Sequence, residues 1–173
     1  SNYSAPRLAE AVSRGGNGRA RYSVLQPHYN LAERPLFEGP LEDLCRDKNI
    51  AVLPYFSLAR GFLSGKYRRD QPMPTSPRSA GVSASFMNDR GFAIVDALDT
   101  VAERTGASPA QVSLAWLMQR PTVVAPIASA TSMAQSQTRS SASAPQGPQP
   151  HSSRTCSGCA NASRPSTASA AYA

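Results

Sequence analysis

Three short apolar runs separated by amphipathic helical patterns constrain the fold of this chain more than any other feature. The runs occupy residues 22–26, 50–53 and 122–127. The first two begin 28 positions apart, which suits a strand, a helix and a second strand joined by loops. A crossover of that kind makes the two strands parallel. The sequence therefore predicts an α/β fold built around a parallel sheet.

Apolar residues at helical spacing predict four helices beside these strands. Three of them are centred on residues 8–12, 41–45 and 92–102. The fourth begins at Ser108, where Gln111 three residues later completes a capping box. The connection over residues 57–88 is long for a compact domain, and such connections often serve as lids over ligands.

The sheet predicted in this way is incomplete. Three parallel strands do not close a sheet, and the chain opens on Ser1 and Asn2 directly before a helix, where the end of a strand is expected. We therefore expect residues 1–135 to form a partial (β/α)8 TIM barrel, comprising roughly its last three strands and their helices. A doubly wound sheet is the alternative, and it is disfavoured because no G-x-G-x-x-G follows a strand.

The composition changes abruptly near residue 135. Residues 136–173 contain 18 Ser and Ala among 38 residues, and no Leu, Ile, Val, Phe, Met or Trp. We expect this tail to be disordered, because it cannot bury enough apolar surface to offset its ordering entropy. Its Cys156 and Cys159 are interpreted as a chance C-x-x-C spacing, since neither a second pair nor a helix accompanies them. The remaining cysteine, Cys45, is expected to be a small core residue.

Charge and composition disfavour several classes of function. The net charge is +7, of which the tail contributes +3, and no dense basic face interleaved with aromatic residues indicates nucleic-acid binding. No apolar run approaches the roughly 18 residues of a membrane helix. No cluster of metal ligands and no secretory signal is visible in the sequence. We expect a cytoplasmic protein without a metal, a nucleic-acid partner or a membrane partner.

A glycine-rich segment near residue 60 superficially resembles a phosphate-binding P-loop. Arg60 stands where that motif requires its first glycine, and Tyr67 stands where Ser or Thr must follow Lys66. We therefore reject a nucleotide triphosphatase, although glycine amides beside Arg60 and Lys66 suit a pyrophosphate. No G-x-S-x-G accompanies His28, which we expect near a strand end with its hydrogen bonds satisfied.

Polar and aromatic residues fall at the expected carboxyl ends of the strands, where active sites of β/α barrels gather. These residues are Ser1, Asn2, Gln26, Tyr55 and Ser129. Asn and Gln can pair with a carboxamide, and a Tyr ring can stack on a flat heterocycle. Together with a pyrophosphate site, these groups indicate a nicotinamide dinucleotide.

Ordered motifs over residues 1–135 make the chain similar to the aldo-keto reductases, and most of all to their bacterial, oxidoreductase-like branch. The motifs are residues 1–4 (SNYS), 26–31 (QPHYNL) with Arg34, 55–67 (YFSLARGFLSGKY), 108–116 (SPAQVSLAW) and 126–132 (PIASATS). The resemblance implies reduction of a small-molecule aldehyde or ketone by hydride transfer from NADPH. NADH also stays open, because Ser129 and Gln135 are uncharged where some relatives have Lys and Arg.

The resemblance also implies which residues bind the cofactor. These are Ser1, Asn2 and Gln26 at the nicotinamide carboxamide, Tyr55 under the nicotinamide ring, Leu58, Arg60 and Gly61 along the pyrophosphate, and Ser129 and Gln135 at the adenosine end and its 2′-phosphate. The chain departs from the family pattern after the stacking tyrosine, where Phe56 and Ser57 replace the more usual Ser-Pro.

No residue of the chain is implied to be catalytic. In this family the proton-donating Tyr and its Asp, Lys and His partners lie on the first four βα units, which this sequence does not contain. We therefore expect a reductase fragment that retains the cofactor-binding half and is inactive alone. The tail replaces a Leu-rich helix of the relatives, which suggests an out-of-frame 3′ end. The alternatives are a non-catalytic, cofactor-binding regulatory subunit on the same fold, or a truncated product without function.

Overall fold

The sheet of this chain consists of two short parallel strands. The computed structural model describes residues 1–16, 18–75, 79–130 and 133. Strands β1 (Val24–Leu25) and β2 (Ala51–Val52) pair with Val24 opposite Ala51. The parallel arrangement predicted from the spacing of the two runs is confirmed. Both strands are shorter than their apolar runs, and each ends two residues before a proline, which has no N–H for a neighbouring strand.

Pairing between the two segments resumes beyond these prolines. The Leu53 N–H donates to the Leu25 carbonyl at 2.9 Å, and the Tyr55 N–H donates to the Pro27 carbonyl at 3.0 Å. A parallel bridge joins His28 to Tyr55. The residues that follow β1 and β2 therefore lie side by side at the carboxyl edge of the sheet.

The third apolar run, residues 122–127, does not form the regular strand that we predicted. It lies parallel to β2 and meets it through a single bridge, with the Val124 N–H donating to the Val52 carbonyl at 3.0 Å. A regular ladder would next use the N–H of residue 126, which is a proline. The N–H of Ile127 instead donates to the Pro54 carbonyl at 2.9 Å. The missing N–H of Pro126 thus interrupts the strand.

Five α-helices accompany the strands among the described residues. They are α1 (Ala5–Ser13), α2 (Pro40–Asp47), α3 (Ser79–Phe86), α4 (Asp89–Thr105) and α5 (Pro109–Met118), with 3-10 helices at Arg34–Leu36 and Ala59–Ser64. The four predicted helices are confirmed, as is the capping box between Ser108 and Gln111. The connection over residues 57–88 is more ordered than a plain loop, because it contains a 3-10 helix and α3.

Helices cover one face of the sheet. Leu25, Val52 and Val123 point into a core shared with α1 and α2, and Cys45 is buried there as predicted. A second core lies under the segment Ala59–Ser64 and holds it against α3, α4 and α5. On the other face of the sheet, Val24 is 48% exposed and Val124 is 63% exposed.

Some sequence predictions lie outside the described residues. These concern Gln135, the tail at 136–173 and its C-x-x-C pair. Within the described part of the chain, no helix is both long enough and apolar enough to cross a membrane.

Candidate functional site

A cavity of about 220 Å³ opens at the carboxyl edge of the sheet. Two segments line it, residues 55–58 with 60–61 after β2, and residues 127–129 after the third apolar run. Five of the predicted cofactor-binding residues are in its lining, namely Tyr55, Leu58, Arg60, Gly61 and Ser129. Parallel strands bring their carboxyl ends to one edge, so the fold itself gathers these residues.

Ser57 connects the two walls of the cavity. Its hydroxyl is 1% exposed and lies 3.0 Å from the Pro54 carbonyl and 2.9 Å from the Ile127 carbonyl. The Ile127 N–H donates back to the Pro54 carbonyl at 2.9 Å. The one hydroxyl proton of Ser57 is shared between these two carbonyls, a hydrogen bond that a proline at this position could not make.

The side chains predicted to bind a carboxamide lie together beside Tyr55. The Ser1 hydroxyl donates to the Gln26 side-chain oxygen at 3.2 Å, and the Asn2 N–H donates to the Gln26 carbonyl at 3.4 Å. The Tyr55 hydroxyl donates to the Asn2 side-chain oxygen at 2.8 Å. Tyr55 lines the cavity, whereas Ser1, Asn2 and Gln26 are not among its lining residues, so Tyr55 connects these side chains to the cavity.

Left-handed backbone is concentrated at this site. Six non-glycine residues of the described chain have positive φ, and four of them are here: Asn2 (56°), Phe56 (52°), Ala59 (48°) and Arg60 (57°). Gly61 follows with φ of 102°. Asparagine adopts this region readily, but each of the other three residues costs about 1–2 kcal/mol there, which is strain of the kind found at functional sites.

Positive charge flanks the cavity. The Arg60 guanidinium carbon lies 4.9 Å from the centre of the Phe56 ring. The Lys66 ammonium lies beside Gly61, since a Cβ built on that glycine would be 3.6 Å from the ammonium nitrogen. Within the described residues, neither cation forms an ion pair with a carboxylate. Their charges are therefore available to an anionic ligand.

The side chain of Leu58 contributes differently from its neighbours. The Leu58 side chain is buried in the second core. The Leu58 backbone carbonyl accepts hydrogen bonds from the N–H groups of Gly61 at 2.8 Å and Leu63 at 3.2 Å. Leu58 therefore shapes the loop on which Arg60 and Gly61 are presented.

His28 packs behind the aromatic residues of the site. Its ring stacks on Tyr55 with centroids 5.2 Å apart and an angle of 24° between the planes, and its Nε2 lies 2.5 Å from Glu33. Burial lowers the pKa of His28, Glu33 opposes that shift and Arg60 adds to it. A neutral ring whose Nε2–H donates to Glu33 fits these surroundings. The prediction that His28 lies near a strand end is confirmed, and its Nε2 has a hydrogen-bond partner as predicted.

The sequence of the chain matches a family model described as the aldo/keto reductase family over residues 1–145. The chain belongs to the aldo-keto reductase family. The fold of this family is a TIM barrel, and the cavity lies at the carboxyl edge of the strands, where such barrels carry their active sites.

Individual aldo-keto reductases match the chain over part of their length. It is 31% identical over 110 residues to a probable aldo-keto reductase 1 of Glycine max, which covers 63% of this chain and 32% of that relative. It is 25% identical over 124 residues to the L-glyceraldehyde 3-phosphate reductase of Escherichia coli K12, covering 69% and 36% respectively. It is 31% identical over 97 residues to the aldo-keto reductase yakc of Schizosaccharomyces pombe, whose name specifies NADP(+), covering 55% and 28%. The chain thus spans about a third of the length of these relatives.

Sequence reasoning missed the polar residues that support the site of this aldo-keto reductase chain. Asn30 is fully buried and bonds to the Phe56 carbonyl, and Glu33 holds His28. Asn30 belongs to the motif at residues 26–31 that carries the family resemblance, but that motif does not indicate what its side chain contacts. Only the path of the chain reveals that Asn30 is enclosed between two loops.

Proposed function

We propose that this chain binds NADP(H) as part of an aldo-keto reductase that reduces aldehydes or ketones to alcohols. One observation carries the proposal: the hydrogen bond from Tyr55 to Asn2 unites a pair of side-chain amides, an aromatic ring and a cation-flanked cavity in a single site. The similarity to a glyceraldehyde-phosphate reductase and to an NADP(+)-linked relative supports the reaction class and the cofactor.

The donor groups fit the cofactor chemically. Asn2 and Gln26 carry amides, which are able to both donate to and accept from a carboxamide, and Ser1 orients the Gln26 amide. The Tyr55 ring offers a face for a flat heterocycle, while Arg60 and the Gly61 amide suit a pyrophosphate. When bound, the nicotinamide supplies the hydride that reduces the carbonyl.

The adenosine end completes the proposed set of contacts. Ser129 lines the cavity on the side of the third apolar run. We assign Ser129 to the adenosine end and Gln135, from the sequence resemblance, to its 2′-phosphate. Because both side chains are uncharged, we expect NADPH and NADH to differ less in affinity than in a relative that has Lys or Arg there.

We further propose that residues 1–135 form part of a (β/α)8 barrel, with residues 136–173 as a separate tail. Support comes from the parallel pair β1 and β2, the parallel segment beside β2 and the helices on one face. The exposed valines Val24 and Val124 lie on the face that would form the interior of a barrel. A cytoplasmic location is part of the same proposal.

The chain by itself is proposed to bind cofactor without turnover. The family's proton donor and its partners have no counterpart among its residues, so no group here is assigned to protonate the carbonyl oxygen. The proposed partner is accordingly a small aldehyde or ketone that reacts only where the rest of the catalytic groups are present.

Calorimetric titration of the 173-residue chain with NADPH and NADH tests this proposal. We expect saturable binding of one dinucleotide, weakened about tenfold by Tyr55→Leu because a stacking face is lost. The matched control is Tyr22→Leu, since Tyr22 is exposed, precedes β1 and has its ring against Tyr3, not against Tyr55. Absence of binding to the native chain, or equal weakening by both substitutions, would overturn the proposal.

A further inference from the structure

The fully buried side chain of Asn30 joins the two loops that follow β1 and β2. Its amide nitrogen donates to the Phe56 carbonyl at 3.0 Å. Its oxygen accepts from the N–H groups of Ala32 at 2.9 Å and Glu33 at 3.1 Å. The amide nitrogen also donates to the Glu33 carboxylate at 3.3 Å, so both ends of the amide are held and the side chain has a single orientation.

This connection determines the backbone beside Tyr55. Phe56 has left-handed φ of 52°, which a residue with a side chain adopts only when its surroundings impose it. The Phe56 carbonyl accepts from the Ala59 N–H at 2.7 Å within its own loop and from Asn30, which ties that turn to the first loop. Since Tyr55 directly precedes Phe56, the direction in which its side chain leaves the backbone is set at the same point.

The same loop also holds the Tyr55 ring from one side. Glu33, whose N–H is bonded to Asn30, places its carboxylate on His28, and the His28 ring stacks on Tyr55 at 5.2 Å. The hydroxyl at the far end of the ring is tied to Asn2. The ring is thus fixed at its backbone, at one face and at its hydroxyl.

We propose that Asn30 is a positioning residue for the nicotinamide ring. It acts along two routes, one through the Phe56 backbone and one through Glu33 and His28. Both routes fix the Tyr55 ring, so that its face opposite His28 can stack on the nicotinamide. This inference rests on the proposed cofactor site. An ordered ring does not have to be immobilised on binding, which favours a ligand that stacks on it by about two- to tenfold in affinity.

The test compares a ligand that has the nicotinamide with one that lacks it. Asn30→Ala should weaken binding of NADPH about three- to tenfold. It should leave binding of adenosine 2′,5′-bisphosphate within about twofold, because that ligand makes no stacking contact with Tyr55. Ser113→Ala is the matched control, since Ser113 is equally buried and its hydroxyl donates to Pro109 within α5. This control should leave the ratio of the two affinities unchanged.

Equal weakening of both ligands by Asn30→Ala would mean that Asn30 serves stability alone, and it would overturn the proposal. No weakening of either ligand would overturn it as well. Should Asn30→Ala fail to fold, Glu33→Ala provides the same comparison, because the Glu33 side chain is 27% exposed and its carboxylate contacts only His28 and the Asn30 amide among the described residues. The expected result for Glu33→Ala is a smaller loss, again confined to NADPH.

A second measurement needs no ligand. In the native chain, NMR should show cross-relaxation between the ring protons of His28 and Tyr55, and folded Asn30→Ala should lose it. Persistence of that contact would overturn the proposal whatever the binding data show. Native chain that binds no dinucleotide would refute the proposed function, while loss of the ring contact in Asn30→Ala would still support the positioning of Tyr55. The two failures are therefore distinguishable.

Discussion

Replacing Arg60 by Ala and by Gly separates the backbone strain at the site from its charge. Arg60 is left-handed, with φ of 57° and ψ of 17°. A residue with a Cβ pays about 1–2 kcal/mol for that conformation, whereas Gly pays only about 0.5–1 kcal/mol in additional chain entropy. Both variants lose the contact of the guanidinium with Phe56. Arg60→Gly should therefore be about 0.5–1 kcal/mol more stable than Arg60→Ala.

For a domain of about 130 residues, the unfolding entropy is about 0.3 kcal/mol per kelvin near the midpoint. The expected difference in Tm is therefore about 2–4 °C, with Arg60→Gly the higher, measured by circular dichroism at matched concentration. A lower Tm for Arg60→Gly would refute the strain argument.

The same two variants should be equally impaired in binding. A charge-assisted hydrogen bond contributes about 1.5–3 kcal/mol, so loss of the guanidinium should weaken NADPH binding about ten- to a hundredfold in both. Arg7→Ala is a suitable control, because Arg7 is an exposed arginine of α1 whose partner is Glu10. Native affinity in either Arg60 variant would refute the assignment of Arg60 to the pyrophosphate.

Three further predictions follow from close packing and from titration. In Gly81→Ala, the new Cβ would lie 2.9 Å from an Arg60 guanidinium nitrogen and would displace that flexible group. Calorimetry should therefore show weaker NADPH binding, while Tm changes little because the guanidinium can move. In Gly91→Ala, the new Cβ would collide with the Phe86 carbonyl, and urea denaturation should show a loss of about 3 kcal/mol or more; a loss below 1 kcal/mol would contradict this packing. Burial lowers the pKa of His28 below 6.5, so the folded chain binds fewer protons than the unfolded chain, and stability should fall as the pH drops below 6.5. His28→Gln should show a shallower fall over that range, and an unchanged slope would exclude His28 as its source.

The parts of the fold set by local signals could be predicted from the sequence. The Ser108 capping box, the glycine after α4 and the apolar spacing of the helices act within a few residues, and each predicted helix forms. The third strand could not be predicted correctly from its apolar character alone. Whether the strand continues past Val124 depends on whether the N–H of residue 126 is needed for pairing with β2. The sequence does not give the register that decides this, and Pro126 has no N–H to donate.

Prediction of the candidate site shows the same division. That Asn2, Gln26 and Tyr55 lie together could be predicted, because parallel strands gather their carboxyl ends. Asn30 and Ser57 were not found as supports, since their roles come from contacts across loops separated by 26 and 70 residues. Such contacts depend on the path of the chain and leave no periodic pattern in the sequence.

The central claim is that Asn2, Gln26 and Tyr55 together hold the nicotinamide end of a dinucleotide. Proton–nitrogen and aromatic proton–carbon correlation NMR of the chain during titration with NADPH tests it most directly. The account predicts that the side-chain amide resonances of Asn2 and Gln26 and the ring resonances of Tyr55 shift together with one dissociation constant, and that adenosine 2′,5′-bisphosphate leaves all three in place. Shifts confined to the opposite edge of the sheet, around Tyr22 and Lys48, or no shift at saturating NADPH, would contradict it.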